Sequence, residues 1–84
     1  MATSLTFTLT ISRVDEMLFS GAAQSVTLPG EAGQLTLLAE HEPIITLLKN
    51  GMITVRAEGG DHTFQIGKGI CEVSGNQVTI LVQA

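Results

Sequence analysis

Eighty-four residues, 44% hydrophobic and only 14% charged, make one domain over residues 1–84 that can bury roughly 60 to 65% of its unfolded surface; so little charge beside so much apolar content excludes a disordered chain. A net charge of −4, with Arg13, Lys49, Arg56 and Lys68 scattered along the chain, leaves no basic footprint for a phosphate backbone and excludes nucleic acid as a partner. The single cysteine, Cys71, can form neither an internal disulfide nor a Cys-based zinc site, which fits a reducing compartment, the cytoplasm by default. No apolar run approaches the ~20 residues of a spanning helix, and Met-Ala-Thr-Ser at the start has neither the basic region nor the apolar core of a signal peptide.

In chain order, Leu5, Phe7, Leu9 and Ile11 alternate with Thr6, Thr8 and Thr10, the period of a half-buried strand. Ser12 to Glu16 reads as a turn, Met17-Leu18-Phe19 as a short apolar patch closed by Ser20-Gly21, and Ala22 to Leu28 as a second strand ended by Pro29-Gly30. Gln34 to Leu38 follows as a strand. Ile44 to Leu48, an apolar run too short to reveal its period, is read as a strand in preference to a helical turn. Asn50-Gly51 turns the chain into Met52 to Ala57, and Glu58-Gly59-Gly60-Asp61 joins that run to His62–Ile66, with Phe64 and Ile66 inward, as a hairpin. After Gly67-Lys68-Gly69 come Ile70 to Val73, the turn Ser74-Gly75-Asn76-Gln77, and a final run from Val78 to Val82. Seven to ten short strands with turn signals every 8 to 12 residues define an all-β antiparallel sandwich or barrel.

Motifs that could carry chemistry are few. His41 stands between Glu40 and Glu42, with Asp61-His62 further on, but the spacing matches no metal pattern, and in extended backbone both glutamates face away from His41. Gly67-Lys68-Gly69 is no phosphate loop: His62 stands where the P-loop's first glycine belongs, and Gly69 where Ser or Thr should follow the lysine. Cys71, inside the apolar run Ile70 to Val73, reads as a small hydrophobe in preference to a nucleophile. With three phenylalanines and no tyrosine or tryptophan, a broad, moderately polar docking surface is expected in place of a deep aromatic pocket. The residues alone also leave open a free-standing sandwich that binds a small ligand or metal through the His41 and His62 region.

Leu18-Phe19-Ser20-Gly21, then Val26 to Leu35 with its glycine-rich turn, then His41-Glu42-Pro43 and Lys49-Asn50-Gly51-Met52-Ile53, occur in an order that resembles the N-terminal domain of the ε subunit of F-type ATP synthase. Gly69 to Val73 and Asn76 to Leu81 are similar to that domain's closing segment. The resemblance implies a ten-stranded β-sandwich without catalytic, cofactor or metal residues. It further implies a place in the rotating central stalk, docked on the γ subunit and on polar loops of the c-ring, peripheral on the cytoplasmic face of the bacterial inner membrane. Its task would be to fasten γ to the ring, so that ion-driven rotation reaches the catalytic head. By the same resemblance Glu31, Gly33 and Gln34 face the c-ring, and His41 and Thr46 face γ.

Two departures bear on those contacts. Many members of the family carry an acidic residue where Gln34 stands, and Pro-Gly where Ala39-Glu40 stands, so contacts there are expected to differ in detail. Full-length members also continue into a C-terminal helical hairpin that regulates ATP hydrolysis and in some binds ATP; the 84 residues hold no counterpart of it, and those roles are not expected of them.

Overall fold

The computed structural model describes residues 5–83, so the Met1 to Ser4 start weighed above as a signal peptide, and Ala84, lie outside the described residues. Nine strands follow one another: β1 (Phe7–Arg13), β2 (Glu16–Ala23), β3 (Ser25–Gly30), β4 (Gly33–Leu38), β5 (Ile44–Leu48), β6 (Gly51–Ala57), β7 (Gly60–Ile66), β8 (Gly69–Ser74) and β9 (Gln77–Val82). They form one curled sheet in the order β2-β1-β9-β8-β5-β3-β6-β7, with β4 added on β3. The all-β class is as expected, with nine strands where about ten were anticipated.

Alternation along each strand builds the core. Phe7, Leu9 and Ile11 face inward from β1, the last two in register with Val78 and Ile80 of β9. Val82 of β9, Val26 and Leu28 of β3, Ile53 and Val55 of β6, and Cys71 and Val73 of β8 join them, each no more than 4% exposed, together with Ala23, Leu37, Leu48 and Ile66. The inward row of β1 starts at Phe7 and not at Leu5, which is 63% exposed. The ends of the strand path come together: the Phe19 ring on β2 meets the His62 ring on β7 edge to face, centroids 5.3 Å apart at 61°. This favourable aromatic geometry closes the curl at its open side.

Three local expectations are corrected. Met17 to Gly21 is not an isolated patch but the middle of β2, because Glu16 already pairs with Arg13 across a tight Val14-Asp15 turn. The second strand does not run unbroken from Ala22 to Leu28: the chain leaves β2 at Gln24, whose N–H donates to the Arg56 carbonyl at 2.7 Å, and β3 begins at Ser25. Nor does Pro29-Gly30 end that strand. Pairing with β6 stops at Thr27, so Pro29 falls where its missing N–H costs no bond to β6, and β3 continues to Gly30. The turn is Glu31-Ala32.

Pairing is antiparallel throughout the described strands except between β1 and β9, which run parallel. These strands are the first and last of the nine, so their connection is the rest of the sheet and no crossover helix is needed.

Register also sorts the turns into two ends. Gly30 pairs with Leu48, Leu48 with Gly69, and Gly69 with Val82, which gathers Val14-Asp15, Glu31-Ala32, Lys49-Asn50 and Lys68 at one end. Phe7 pairs with Ala23, Ser74 with Gln77 and Ile44 with Val73, which gathers Gln24, Ala39 to Pro43 and Gly75-Asn76 at the other.

Candidate docking surfaces

The glycine-rich turn is the tip of the β3–β4 hairpin, where Gly30 pairs with Gly33 across Glu31 and Ala32. It is held rigidly: the Glu31 N–H donates to the Leu47 carbonyl at 3.0 Å, and the Lys49 N–H to the Pro29 carbonyl at 2.9 Å. Gly33 takes a φ of 137°, which only glycine adopts without strain. Glu31, Gly33 and Gln34 are all exposed on this tip, so the three residues assigned to one partner share one small surface.

His41 and Thr46 do not share a surface in the same way. His41 is half-buried in the loop before β5, at the opposite end of the molecule from Glu31. Its Nδ1 lies 2.9 Å from the Glu42 carbonyl oxygen; since a carbonyl only accepts, Nδ1 is the donor in this contact. Thr46, in the middle of β5, is half-buried on the side of Leu48, with its methyl beside Gly30. A strand rises about 3.3 Å per residue, so the length of β5 separates His41 from the Glu31 tip by roughly 10 Å or more.

The outward face of β5 carries a feature that sequence reasoning missed. Ile45 and Leu47 point away from the core, 68% and 54% exposed. Leu47 pairs with Ile70 of β8, and Ile70 with Leu81 of β9, 38% and 53% exposed. Such cross-strand neighbours touch, so an apolar row crosses three adjacent strands on the solvent side. Val14, Leu47, Ile70 and Leu81 line an open groove of about 470 Å³, with Glu31 and Lys68 at its rim. Its signal in the sequence was adjacent apolar pairs, Leu47-Leu48, Ile70-Cys71 and Leu81-Val82, which place one apolar residue outward wherever its neighbour faces the core.

Charge is divided between the ends. Arg13, Lys49 and Lys68 stand at the Glu31 end among Asp15, Glu16 and Glu31, whereas Arg56 is the one basic side chain beside Glu40, Glu42, Glu58, Asp61 and Glu72 toward the His41 end. The net negative charge therefore sits with His41. The ion pairs are exposed and weak, Arg13 to Glu16 at 3.4 Å and Arg56 to Asp61 at 4.0 Å.

None of the reactive candidates is assembled for chemistry. Cys71 is wholly buried, and burial pushes its thiol up to about 11, away from the thiolate a nucleophile needs. Among the described residues no group of three or more His, Cys, Asp or Glu residues could hold a metal ion, and the His62 ring meets Phe19 edge to face. No helix among the described residues is long and apolar enough to cross a membrane.

These features define a class: an all-β sandwich with an exposed polar hairpin tip and an exposed apolar row. The sequence pattern of the ATP synthase delta/epsilon chain, β-sandwich domain, matches residues 6–84. The protein belongs to this family. It is 40% identical over 77 residues to the ATP synthase epsilon chain of Bordetella petrii, covering 90% of this chain and 55% of that protein. The chain thus spans about half the length of the curated relative.

Two solved structures are similar. A chain in the Euglena gracilis mitochondrial ATP synthase, from a structure of OSCP, F1 and c-ring in rotational state 1, superposes with a TM-score of 0.85 at 28% identity over 92% of this chain and 50% of that one. A chain in the central stalk and c-ring of the Tetrahymena thermophila mitochondrial ATP synthase gives 0.80 at 14% identity, over 92% of this chain and 63% of that one, a likeness of fold alone.

Proposed function

We propose that the protein is a non-catalytic rotor domain of an F-type ATP synthase. It docks on the γ subunit and the c-ring, and couples ion-driven rotation to ATP synthesis from the cytoplasmic face of a bacterial inner membrane. The observation that carries this reading is the pairing of family membership with an exposed hairpin tip and an exposed apolar row on the same sheet. The Glu31, Gly33 and Gln34 tip is the ring contact. It is exposed and polar, and the backbone bonds that tie it and its flanking residues to β5 let it bear load without yielding.

The γ contact takes in His41 and Thr46 and extends over the apolar row of Ile45, Leu47, Ile70 and Leu81. A contiguous exposed apolar row is the mark of a protein contact. A curled sheet closed by the Phe19–His62 contact is a suitable connector, since a compliant one would absorb torque.

Disulfide cross-linking tests the assignment. Cys71 is buried and unreactive, so a cysteine introduced as Glu31→Cys is the one exposed thiol among the described residues. It should link to cysteines placed in the polar loops of the c-ring, and His41→Cys should link to γ and not to the ring. A folded domain that co-purifies with neither subunit would refute the reading.

A further inference from the structure

We infer that Asn50-Gly51, the turn between β5 and β6, is a deamidation site at which Asn50 converts to aspartate or isoaspartate. The protein has two asparagines, and the structure treats them oppositely. The Asn76 amide is engaged at both atoms: its Oδ1 accepts the Glu40 N–H at 2.9 Å, and its Nδ2 donates to the Thr6 carbonyl at 2.7 Å. It is followed by Gln77, whose side chain obstructs approach to its own backbone nitrogen.

Asn50 is exposed in the turn, and among the described residues no hydrogen bond holds its side-chain amide. The residue after it is glycine by necessity. A Cβ at position 51 would lie 2.7 Å from Pro29 Cβ and 3.1 Å from Pro29 Cγ, closer than packed carbons approach. Packing against Pro29 thus retains the residue type that leaves the backbone nitrogen least hindered.

The reaction needs only water. Base removes the Gly51 amide proton, and the nitrogen attacks Asn50 Cγ. The new bond from Gly51 N to Cγ closes a five-membered succinimide as the bond from Cγ to Nδ2 breaks, and the departing nitrogen takes up a proton from the protonated base to leave as ammonia. Water then opens the ring at either carbonyl. Opening at one returns a normal peptide with an aspartate at position 50; opening at the other routes the backbone through Cβ and Cγ as isoaspartate.

Either product adds a negative charge beside Lys49. Isoaspartate also inserts a methylene between Lys49, whose N–H is bonded to the Pro29 carbonyl, and Gly51, which rests on the Pro29 ring. The affected turn is next to the Glu31 tip. The chemistry holds whether or not that tip meets a ring.

The test is to incubate the folded protein at physiological temperature and mildly alkaline pH. Tryptic peptides are followed by mass spectrometry, and isoaspartate by enzymatic methyl labelling. Half of the Asn50 amide should be lost, with label accumulating on that peptide, before loss at Asn76 is measurable; an Asn50→Ser variant should show no label there. Retention of the Asn50 amide in the folded protein, over a period in which the urea-unfolded protein loses it, would overturn the proposal. So would equal loss at both asparagines.

Discussion

The backbone N–H of Glu40, a residue held at a φ of 62°, donates to Asn76 Oδ1 at 2.9 Å. The Asn76 amide also donates to the Thr6 carbonyl at 2.7 Å, and the Asn76 backbone carbonyl accepts the Thr8 N–H at 3.0 Å. One asparagine in the β8–β9 turn therefore ties together the residue before β1, the start of β1 and the loop leading to β5. Glu40 is the described non-glycine residue in left-handed backbone, a conformation that costs a residue with a Cβ about 1 kcal/mol or more.

Glu40→Gly is accordingly expected to raise stability by about 1 kcal/mol, and Asn76→Ala to lower it by about 1 to 2 kcal/mol through two lost hydrogen bonds. Urea unfolding of both variants checks the pair. A Glu40→Gly protein less stable than its parent would show that the Glu40 carboxylate and its methylenes stabilise the fold by more than the backbone strain costs.

The strands were legible in the sequence because threonine alternates with aliphatic residues in β1, β6 and β9, and glycine-bearing turns separate them. The Pro29-Gly30 boundary was misplaced because proline is a stop only where an N–H is needed, and which strand borders Pro29 is a property of tertiary pairing. The parallel β1–β9 pair joins residues from opposite ends of the sequence, which no local pattern encodes. The Leu47-Ile70-Leu81 row is half legible: adjacent apolar pairs place one apolar residue outward in each strand, but only register aligns the three into a row.

Stability should fall in alkali in a way that depends on Cys71. Burial raises its thiol from 9.0 to about 11. Between those values the unfolded protein loses the proton while the folded protein keeps it. The unfolded state then binds fewer protons, so stability is whole below pH 9 and declines as pH rises to about 11, by roughly 2 to 3 kcal/mol at full extent. Urea midpoints measured across this range should decline more steeply for the parent than for Cys71→Ala. Parallel curves would mean that the thiol titrates normally in the fold.

Two glycines outside the left-handed region should respond oppositely to alanine. A Cβ at Gly69 would sit 2.5 Å from the Leu81 carbonyl oxygen and 3.0 Å from Val82 Cγ1, so β8 could accept it only by moving off β9. Gly69→Ala is expected to cost about 2 to 3 kcal/mol, the range for forcing volume into packed structure. At Gly59, in the β6–β7 turn, nothing lies within 4 Å, and Gly59→Ala should stay within about 0.5 kcal/mol. Thermal melts of the two proteins give the comparison directly.

Binding and folding should separate cleanly on the outer face. Leu47 and Leu48 are neighbours, one 54% exposed and the other 1%. Leu48→Ala removes a buried side chain and should cost about 2 to 5 kcal/mol. Leu47→Ser removes surface that only a partner would cover, and should leave the melting temperature of the free domain almost unchanged while weakening its complex with γ. Glu31→Ala and Gln34→Ala, on the exposed tip, should likewise spare the fold, within about 0.5 kcal/mol, but reduce coupling to the ring while leaving γ affinity intact. Pull-down with γ alone, and ion pumping driven by ATP in reconstituted enzyme, distinguish the two surfaces. If Leu47→Ser bound γ as well as its parent, the apolar row would not be part of that contact; if Glu31→Ala and Gln34→Ala together left pumping unchanged, the tip would not be the ring contact.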